Sequence, residues 1–461
     1  MRNMLVRAWA SIIYSLWDLK DHSVRLRTWQ ELEASQWESE QALLNRQWAG
    51  LQKIMTYAYE KCPYYRRQFD KARVSPNDIK APDDLLKVPI LTKRHIQDYT
   101  DQMTSSDFST GELLWAKTGG STGKAVKVFV DKECVERREA AALRSNQWAN
   151  WFIGDRVGAL WGNPPQFTSV KERIRQALHE KVIFLDTVNL TRDSMMTFVE
   201  KWTKYRARVL FGHAHSLYRF ARFLEDNKIV EIRPKGIVST SMMLLPSERD
   251  VIERVFACKV TDRYGSEEVG LIACECERHS GMHLNVERLY VEFIKDDGTR
   301  ARPGEEGRIV VTDLMNKGMP LIRYKIEDVG IASDRTCPCG RGLPLMERVT
   351  GRTADFLVKP NGALVAGVSL IERTLTAIPG IEQMQIIQED LHRIEINLVT
   401  GRDYTMCSEE RLRQEFALVF GSEVKCVIHH VSRIKQERSG KYRFSICSVP
   451  LNELGHSLIH S

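Results

Sequence analysis

The sequence predicts an α/β protein, with a large multi-layered domain followed by a small α+β domain. Between residues 113 and 350, apolar runs typical of strands alternate with helical stretches, which indicates a layered sheet. The last hundred residues alternate short strands with two helices that can form a core of their own. Gly351 and the turn Pro360-Asn361-Gly362 separate the two patterns. We therefore expect a large domain over residues 111–350 and a C-terminal lid domain over 351–461.

Residues 1–110 are expected to be mainly helical and to pack on the large domain. They contain five of the ten tryptophans, which are large anchors for packing. Apolar side chains recur at helical spacing over residues 4–19, with basic residues among them. Such an amphipathic helix could contact a membrane surface peripherally or pack on the protein's own core.

The large domain is expected to contain seven main strands with helices between them. Strands are predicted at 127–130, 156–162, 207–212, 235–240, 258–265, 289–294 and 307–314, and helices at 133–150 and 191–205. Strands become more frequent after residue 280, where we expect β-rich additions.

Composition indicates an ordinary globular protein. The 461 residues carry 67 basic and 60 acidic side chains, a net charge of +7 with no long basic run, so nucleic acid is not an expected partner. Six of the ten cysteines are scattered singly and no signal peptide is recognisable, which favours the reducing cytoplasm. No apolar run reaches the ~20 residues that span a bilayer.

The segment KTGGSTGKAVKVFV, residues 117–130, is a candidate phosphate-binding loop. Gly119 and Gly123 let backbone N–H groups approach a ligand, while Ser121, Thr122 and Lys124 add hydroxyl donors and a cation. The spacing does not match the P-loop of ATPases. On these residues alone, a flexible turn between strands explains the segment equally well.

Further polar segments follow predicted strands. DRYGSEEVG (262–270) contains Tyr264, Gly265 and the carboxylates Glu267 and Glu268, at a strand end where α/β sheets present ligand loops. MPLIRYKIEDVG (319–330) puts Tyr324 and Asp328 after a strand, VTGRTADF contains Arg352, and KQERSGKYRFSI contains Lys441. Each alone could be an ordinary surface or turn residue.

In this order, the segments resemble the adenylate-forming superfamily of acyl-CoA and aryl-CoA ligases, especially the phenylacetate-CoA ligase family and its capsular-polysaccharide-cluster relatives. The similarity extends from CPYYRRQFD and VPILTKRHI to SGKYRF. It implies a large adenylate-forming domain and a small mobile C-terminal domain. The activity it implies is ATP-dependent activation of a carboxylic acid, followed by transfer to coenzyme A or to an amine or sugar acceptor, by a monomer or homodimer.

The resemblance also implies roles for individual residues. Lys124, with Ser121, Thr122 and Gly123, would bind the β- and γ-phosphates of ATP. Glu268 would bind Mg²⁺, and Lys441 would assist adenylate formation. The other nucleotide contacts implied are Ser241, Met242, Tyr264, Gly265, Asp328 and Arg352. The physical reason is that a carboxylate repels ATP, so cations must screen both anions and the charge that develops at the α-phosphate.

Two positions depart from the family pattern. Glu267 stands where Ser or Thr usually precedes the metal-binding glutamate, and Ala354 replaces the usual carboxylate at the hinge. The change at Ala354 affects domain rotation and transfer to the acceptor, rather than adenylation. A second hypothesis follows from Ala354 and the basic amphipathic start: a catalytically degenerate nucleotide-binding scaffold of a polysaccharide biosynthesis complex.

Two short Cys/His clusters, at 273–283 and 336–342, predict a structural zinc site. Four soft ligands in a tetrahedron suit Zn²⁺ and leave no position for substrate. The preferred ligands are Cys276, His279, Cys337 and Cys339, and either Cys274 or His283 could replace one of them. Ordinary buried thiols are the alternative. His213 and His215 lie where the acid could bind, or are ordinary histidines at a sheet end.

Overall fold

The structure of the protein is a computed structural model. It describes residues 14–16, 18–117, 127–161, 182–187, 191–352, 356–361, 364–435 and 443–449. Most of the Gly-rich segment and the Ser-Gly-Lys turn before residue 443 lie outside these ranges. So does most of the segment 4–19, for which membrane contact stays a prediction. Within the described ranges, every helix is too short or too polar to cross a bilayer.

The N-terminal segment is helical. Ser39 begins the longest of its helices because its Oγ accepts a hydrogen bond from the amide of Ala42, and Pro63 starts the next helix. The helices are α1 (Arg25–Ser35), α2 (Glu40–Lys61), α3 (Pro63–Lys71) and α4 (Lys93–Met103), with 3₁₀ turns at Pro76–Asp78 and Pro82–Lys87. A hairpin follows, formed by β1 (Leu114–Lys117) and β2 (Lys127–Val130).

A mixed sheet is the centre of the fold. Its parallel half has the order β4-β3-β5-β6-β7. The helix α5 (Lys132–Trp148) precedes β3, and α6 (Arg192–Tyr205), α7 (Ala214–Asp226) and α8 (Pro246–Phe256) lie in the chain between β4 and β7. These five strands are β3 (Val157–Trp161), β4 (Val182–Asp186), β5 (Val209–His213), β6 (Gly236–Thr240) and β7 (Val260–Ser266). One face of the half-sheet, with Leu160, Leu210 and Ile237, packs against Phe198 and Phe220 of α6 and α7.

The other half of the sheet is antiparallel and continues from β7 in the order β8-β9-β13-β12-β11-β10. The strands are β8 (Gly270–Glu275), β9 (Met282–Leu284), β10 (Leu289–Ile294), β11 (Glu306–Asp313), β12 (Tyr324–Ala332) and β13 (Leu345–Arg352). Its apolar face shares one core with the N-terminal helices, in which Leu51 and Met55 of α2 join Ile309, Leu321 and Met346. The N-terminal helices therefore cover the antiparallel half of the sheet.

The C-terminal part has a core of its own. The hairpin β14 (Phe356–Val358) and β15 (Leu364–Ala366) precedes a four-stranded sheet of order β18-β17-β16-β19. This sheet is formed by β16 (Ile381–Asp390), β17 (Arg393–Thr400), β18 (Lys425–His430) and β19 (Ser445–Cys447), with α9 (Gly367–Ala377) and α10 (Met406–Phe420) beside it. Ile386, Ile396 and Phe416 lie at its centre.

The α/β fold class is confirmed, with the β-rich additions expected after residue 280 forming the antiparallel half of the sheet. One expectation is wrong in detail. Tyr324 and Asp328 lie within β12 rather than after a strand, because the chain leaves a turn at 314–323 and pairs with both β11 and β13. The domain boundaries at 110 and 350 stay a prediction.

Candidate functional site

The end of β7 and the middle of β12 are joined through a phenol and a carboxylate. The hydroxyl of Tyr264 donates a hydrogen bond of 2.7 Å to Oδ2 of Asp328, which is buried. β7 is the last parallel strand of the sheet, so Tyr264 lies at the edge where α/β proteins bind ligands. Gly265 follows, and a Cβ there would lie only 2.7 Å from the carbonyl oxygen of Gly270. Glycine is thus required for the tight turn into β8.

A second phenol and carboxylate link the same region, but here the phenol is on β12 and the carboxylate follows β7. Tyr324 on β12 donates a hydrogen bond of 3.0 Å to Oε1 of Glu268, which lies in the turn between β7 and β8. Both side chains are buried. Burial and the adjacent Glu268 carboxylate raise the pKa of Tyr324, so its hydroxyl stays a neutral donor. Glu267, one residue earlier, is exposed.

Arg138 holds the backbone of this turn, and sequence reasoning missed it. Its guanidinium donates to the carbonyl oxygens of Glu268, at 2.7 Å, and Glu267, at 3.4 Å, and pairs with Asp313 at 3.0 Å. Arg138 lies on α5, 130 residues from Glu268 in sequence. No local motif indicates this contact, since it depends on how α5 packs against the sheet.

The structure brings only some of the predicted nucleotide contacts together. Ser241 follows β6 with φ of 67°, a left-handed backbone that few non-glycine residues adopt, and Met242 follows it. Arg352 on β13 is the backbone partner of Asp328 on β12. The predicted phosphate-loop residues and the predicted C-terminal lysine lie outside the described residues; they are Ser121, Thr122, Gly123, Lys124 and Lys441.

The two Cys/His segments meet in one cluster. The ligand atoms of Cys276, His283, Cys337 and Cys339 all lie within 4.8 Å of one another. The Sγ atoms of Cys276 and Cys337 are 3.6 Å apart, and Cys339 Sγ lies 3.3 Å from Nε2 of His283. Four soft ligand atoms that face one another fit the tetrahedral coordination of Zn²⁺.

The predicted histidine ligand is corrected from His279 to His283. Nδ1 of His279 lies 3.2 Å from Oε2 of Glu275, which keeps the ring away from the thiols. Nδ1 of His283 instead lies 2.9 Å from the carbonyl oxygen of Leu343, so it carries the proton and leaves the lone pair of Nε2 for a metal. Burial lowers the pKa of His283 to about 4. Cys274 lies outside the group of four.

The cluster also contacts the N-terminal helices. Arg341 follows Cys339 by two residues, and its guanidinium lies between the rings of Trp37 and Trp148, at 4.7 and 4.9 Å. The amide of Gly342 donates to the carbonyl oxygen of Gln36 at 3.0 Å. A metal that fixes the loop before β13 would therefore also fix the end of α1, which Gln36 follows.

His215, one of the two histidines proposed for acid binding, is held in the interior instead. Its Nδ1 lies 2.8 Å from Oε1 of Glu248, and both side chains are buried. His213 lies at the carboxyl end of β5, with its ring centroid 4.3 Å from that of Trp161.

Comparison with known proteins shows which families this chain is similar to. The family model described as the CapK C-terminal domain matches residues 357–448. The chain is 22% identical over 405 residues to Protein CapK of Staphylococcus aureus, covering 86% of this chain and 88% of that protein. It is 25% identical over 358 residues to the phenylacetate-coenzyme A ligase of Thermus thermophilus, covering 72% and 74%. These relatives support the resemblance to the adenylate-forming superfamily.

A solved structure shares the fold of this chain. The crystal structure of 2-hydroxyisobutyryl-CoA ligase in the postadenylation state, in complex with 2-HIB-AMP, superposes with a TM-score of 0.70 at 18% identity. The match covers 88% of this chain and 89% of that chain. In this chain, the two phenol–carboxylate pairs lie at the carboxyl end of the parallel strands, and the Cys/His cluster lies at the other end of β8.

Proposed function

We propose that this chain is an ATP-dependent, AMP-forming ligase that activates a carboxylic acid as an acyl- or aryl-adenylate and transfers the acyl group to coenzyme A. The observation that supports it best is the double link between Tyr264 and Asp328 and between Tyr324 and Glu268. It fixes two carboxylates, one in the turn after β7 and one on β12, at the ligand-binding edge of the sheet. The phenylacetate-coenzyme A ligase relative supports coenzyme A as the acceptor.

The residues present fit a magnesium ion. Carboxylate oxygens are preferred Mg²⁺ ligands, and Glu268 is a buried carboxylate that no described lysine or arginine pairs with through its side chain. Tyr324 donates to one of its oxygens and so orients the carboxylate. Glu268 would hold the ion, and the ion would supply positive charge beside the phosphates.

The remaining side chains would bind and orient the two substrates. Asp328 accepts a hydrogen bond from Tyr264 and would also accept hydrogen bonds from the ribose hydroxyls. Arg138 fixes the turn that carries Glu268, so that the carboxylate does not move when substrate enters. Lys124 and Lys441 are proposed, from sequence alone, to stabilise the negative charge that develops at the phosphates.

The proposed reaction has two steps. A carboxylate oxygen of the acid attacks the α-phosphorus of ATP, the bond to pyrophosphate breaks, and a mixed anhydride of acid and AMP forms. The sulfur of coenzyme A then attacks the carbonyl carbon, loses its proton to solvent, and AMP leaves. The acid becomes a thioester, and no oxidant or reductant is required.

Pyrophosphate release tests this function. Purified protein with ATP, Mg²⁺ and a panel of aryl, fatty and amino acids should release pyrophosphate with at least one of them. Lys441→Ala should slow release about 100-fold, because one cation at the phosphates is lost, while ATP binding persists. An unchanged rate in this variant would remove Lys441 from the mechanism. Absence of release with every acid would favour the alternative function, a nucleotide-binding scaffold.

We also propose that Cys276, His283, Cys337 and Cys339 bind one structural zinc ion. Three thiols and an imidazole form a closed set of four ligands, which leaves no position for substrate. The cluster begins after β8, whose six residues extend about 20 Å away from Glu268. The zinc would therefore take no direct part in adenylation. Its role would be to tie the loop before β13 to β8 and, through Arg341, to the N-terminal helices.

A further inference from the structure

A row of side chains crosses the carboxyl ends of the parallel strands beside the candidate nucleotide site. His213 on β5 is in register with Thr240 on β6, and Thr240 is in register with Arg263 on β7. Trp161, the last residue of β3, extends the row next to His213. Arg263 directly precedes Tyr264. Because ligands of such sheets bind at this edge, the row is placed to contact the acid that is joined to the nucleotide.

The middle of the row is lined by aromatic rings. Phe211 lies two residues before His213, on the same face of β5. Its ring stacks on that of Trp161, with centroids 5.3 Å apart and an interplanar angle of 17°. Trp151 approaches Phe211 from another side at 5.7 Å. These rings form a flat apolar wall that suits an aryl group or a short carbon chain.

The β7 end of the row is a positive charge with neutral partners. Nη1 of Arg263 donates to Oδ1 of Asn146 at 2.9 Å, and Cζ of Arg263 lies 5.3 Å from the ring centroid of Phe211. Burial lowers the pKa of Arg263, because it removes water from the charged form. An arginine nevertheless stays protonated in proteins. Among the described residues, no aspartate or glutamate forms an ion pair with this guanidinium.

Other enclosed arginines of the same domain do have a counter-charge. Arg144, Arg323 and Arg138 pair with carboxylates at 2.6, 3.0 and 3.0 Å. Enclosing a cation without such a partner is unfavourable. The carboxylate of Asp186 ends the row on β4, four strand spacings or roughly 19 Å from Arg263. The charge of Arg263 is therefore left for a ligand to neutralise.

We propose that Arg263 binds a second anionic group of the acid, so that the substrate is a dianionic acid. This inference rests on the proposed ligase function and names the substrate class. One carboxylate is activated at the nucleotide, and the guanidinium binds the other, whose two oxygens match its parallel N–H donors. The carbon skeleton between them lies along Trp161 and Phe211.

Matched pairs of acids test this inference on the unmodified protein. Pyrophosphate release is measured with phenylacetate against carboxyphenylacetate, and with hexanoate against adipate. We expect kcat/KM to be at least tenfold higher for the dianionic member of a pair. In Arg263→Gln, the ratio of kcat/KM between the two members should fall about 100-fold, because a site built to bind a polar group loses its donor. Arg263→Lys should recover part of the ratio, and Arg27→Gln, a change of an exposed arginine, should leave it unchanged.

Two results would overturn the inference while leaving the ligase function intact. One is equal or higher kcat/KM for the monoanionic member in every pair. The other is an Arg263→Gln variant in which kcat/KM falls to the same extent for both members of a pair. Arg263 would then act on the nucleotide or on packing. Absence of pyrophosphate with every acid of the panel would instead overturn the ligase function and this inference together.

Discussion

The turn before β8 and the turn after it lie at opposite ends of one strand. Both contain side chains that can bind a metal ion, but these side chains are arranged differently. Before β8, Glu268 accepts a hydrogen bond from Tyr324, and its carboxylate remains able to bind further partners. After β8, Cys276 belongs to a cluster whose four ligand atoms face one another. In the proposed function the first turn would bind the metal ion of the substrate, whereas the four ligand atoms of the second face one another.

Neighbouring residues of the same type differ in the same way within each turn. Glu267 is exposed, whereas Glu268 is buried against a phenol. His279 contacts the carboxylate of Glu275, whereas His283 faces a thiol. The comparison teaches that residue type alone does not identify a candidate site residue. What distinguishes Glu268 and His283 from their neighbours is contact with a side chain from another part of the sheet. Substitutions of Glu267 and His279 can therefore serve as controls for substitutions of Glu268 and His283.

The largest expected effect is at Glu268. Glu268→Gln should lower the rate of adenylate formation about 100-fold, because the amide lacks the charge that holds the ion at the phosphates. Glu267→Gln, the matched control, should stay within about threefold of the parent rate, as is usual for exposed substitutions. Steady-state pyrophosphate release at saturating ATP is the measurement. Equal losses in the two variants would mean that burial against Tyr324 does not distinguish the two carboxylates.

The next effect concerns the cluster after β8. Elemental analysis of the parent protein should find about one zinc per chain. His283→Ala should lose most of this zinc and unfold at a lower temperature, because binding of a structural metal contributes directly to folding. His279→Ala should keep it, since His279 contacts Glu275 instead. If His283→Ala kept its zinc and His279→Ala lost it, the ligand would be His279, as the sequence predicts. If the parent protein were folded without metal, there would be no zinc site.

Strand positions could be predicted closely from the sequence. The runs KVFV and LYVEFI were expected at 127–130 and 289–294, and β2 and β10 have these bounds. The reason is local: a buried strand is a short apolar run between turn signals, and both can be recognised from adjacent residues. The ordered motifs likewise indicated a resemblance to the superfamily, and the similarity to Protein CapK and phenylacetate-coenzyme A ligase supports it.

Contacts between distant strands could not be predicted in the same way. The spacing of Cys276 and His279 suggests that both are ligands, yet β9 pairs with β8 so that His283 is opposite Cys274 and reaches the cluster. The register between strands is set by the whole sheet, and no short motif contains it. The contact of Arg138 with the turn is also missed, because it depends on helix packing.

The smallest expected effect comes from removing the hydroxyl of Tyr324 while Glu268 is kept. Tyr324→Phe removes the hydroxyl that donates to Oε1 of Glu268 and keeps the ring and its packing. Since a hydrogen bond to a charged group contributes roughly 1.5 kcal/mol or more, the Mg²⁺ concentration for half-maximal pyrophosphate release should rise about tenfold. The rate at saturating Mg²⁺ should change less, because the carboxylate itself remains. Tyr57→Phe, which removes a hydroxyl bonded to Ser105 Oγ at 2.6 Å, is the control and should leave the Mg²⁺ dependence unchanged. An unaltered Mg²⁺ dependence in Tyr324→Phe would show that Glu268 is oriented by the turn and Arg138 alone.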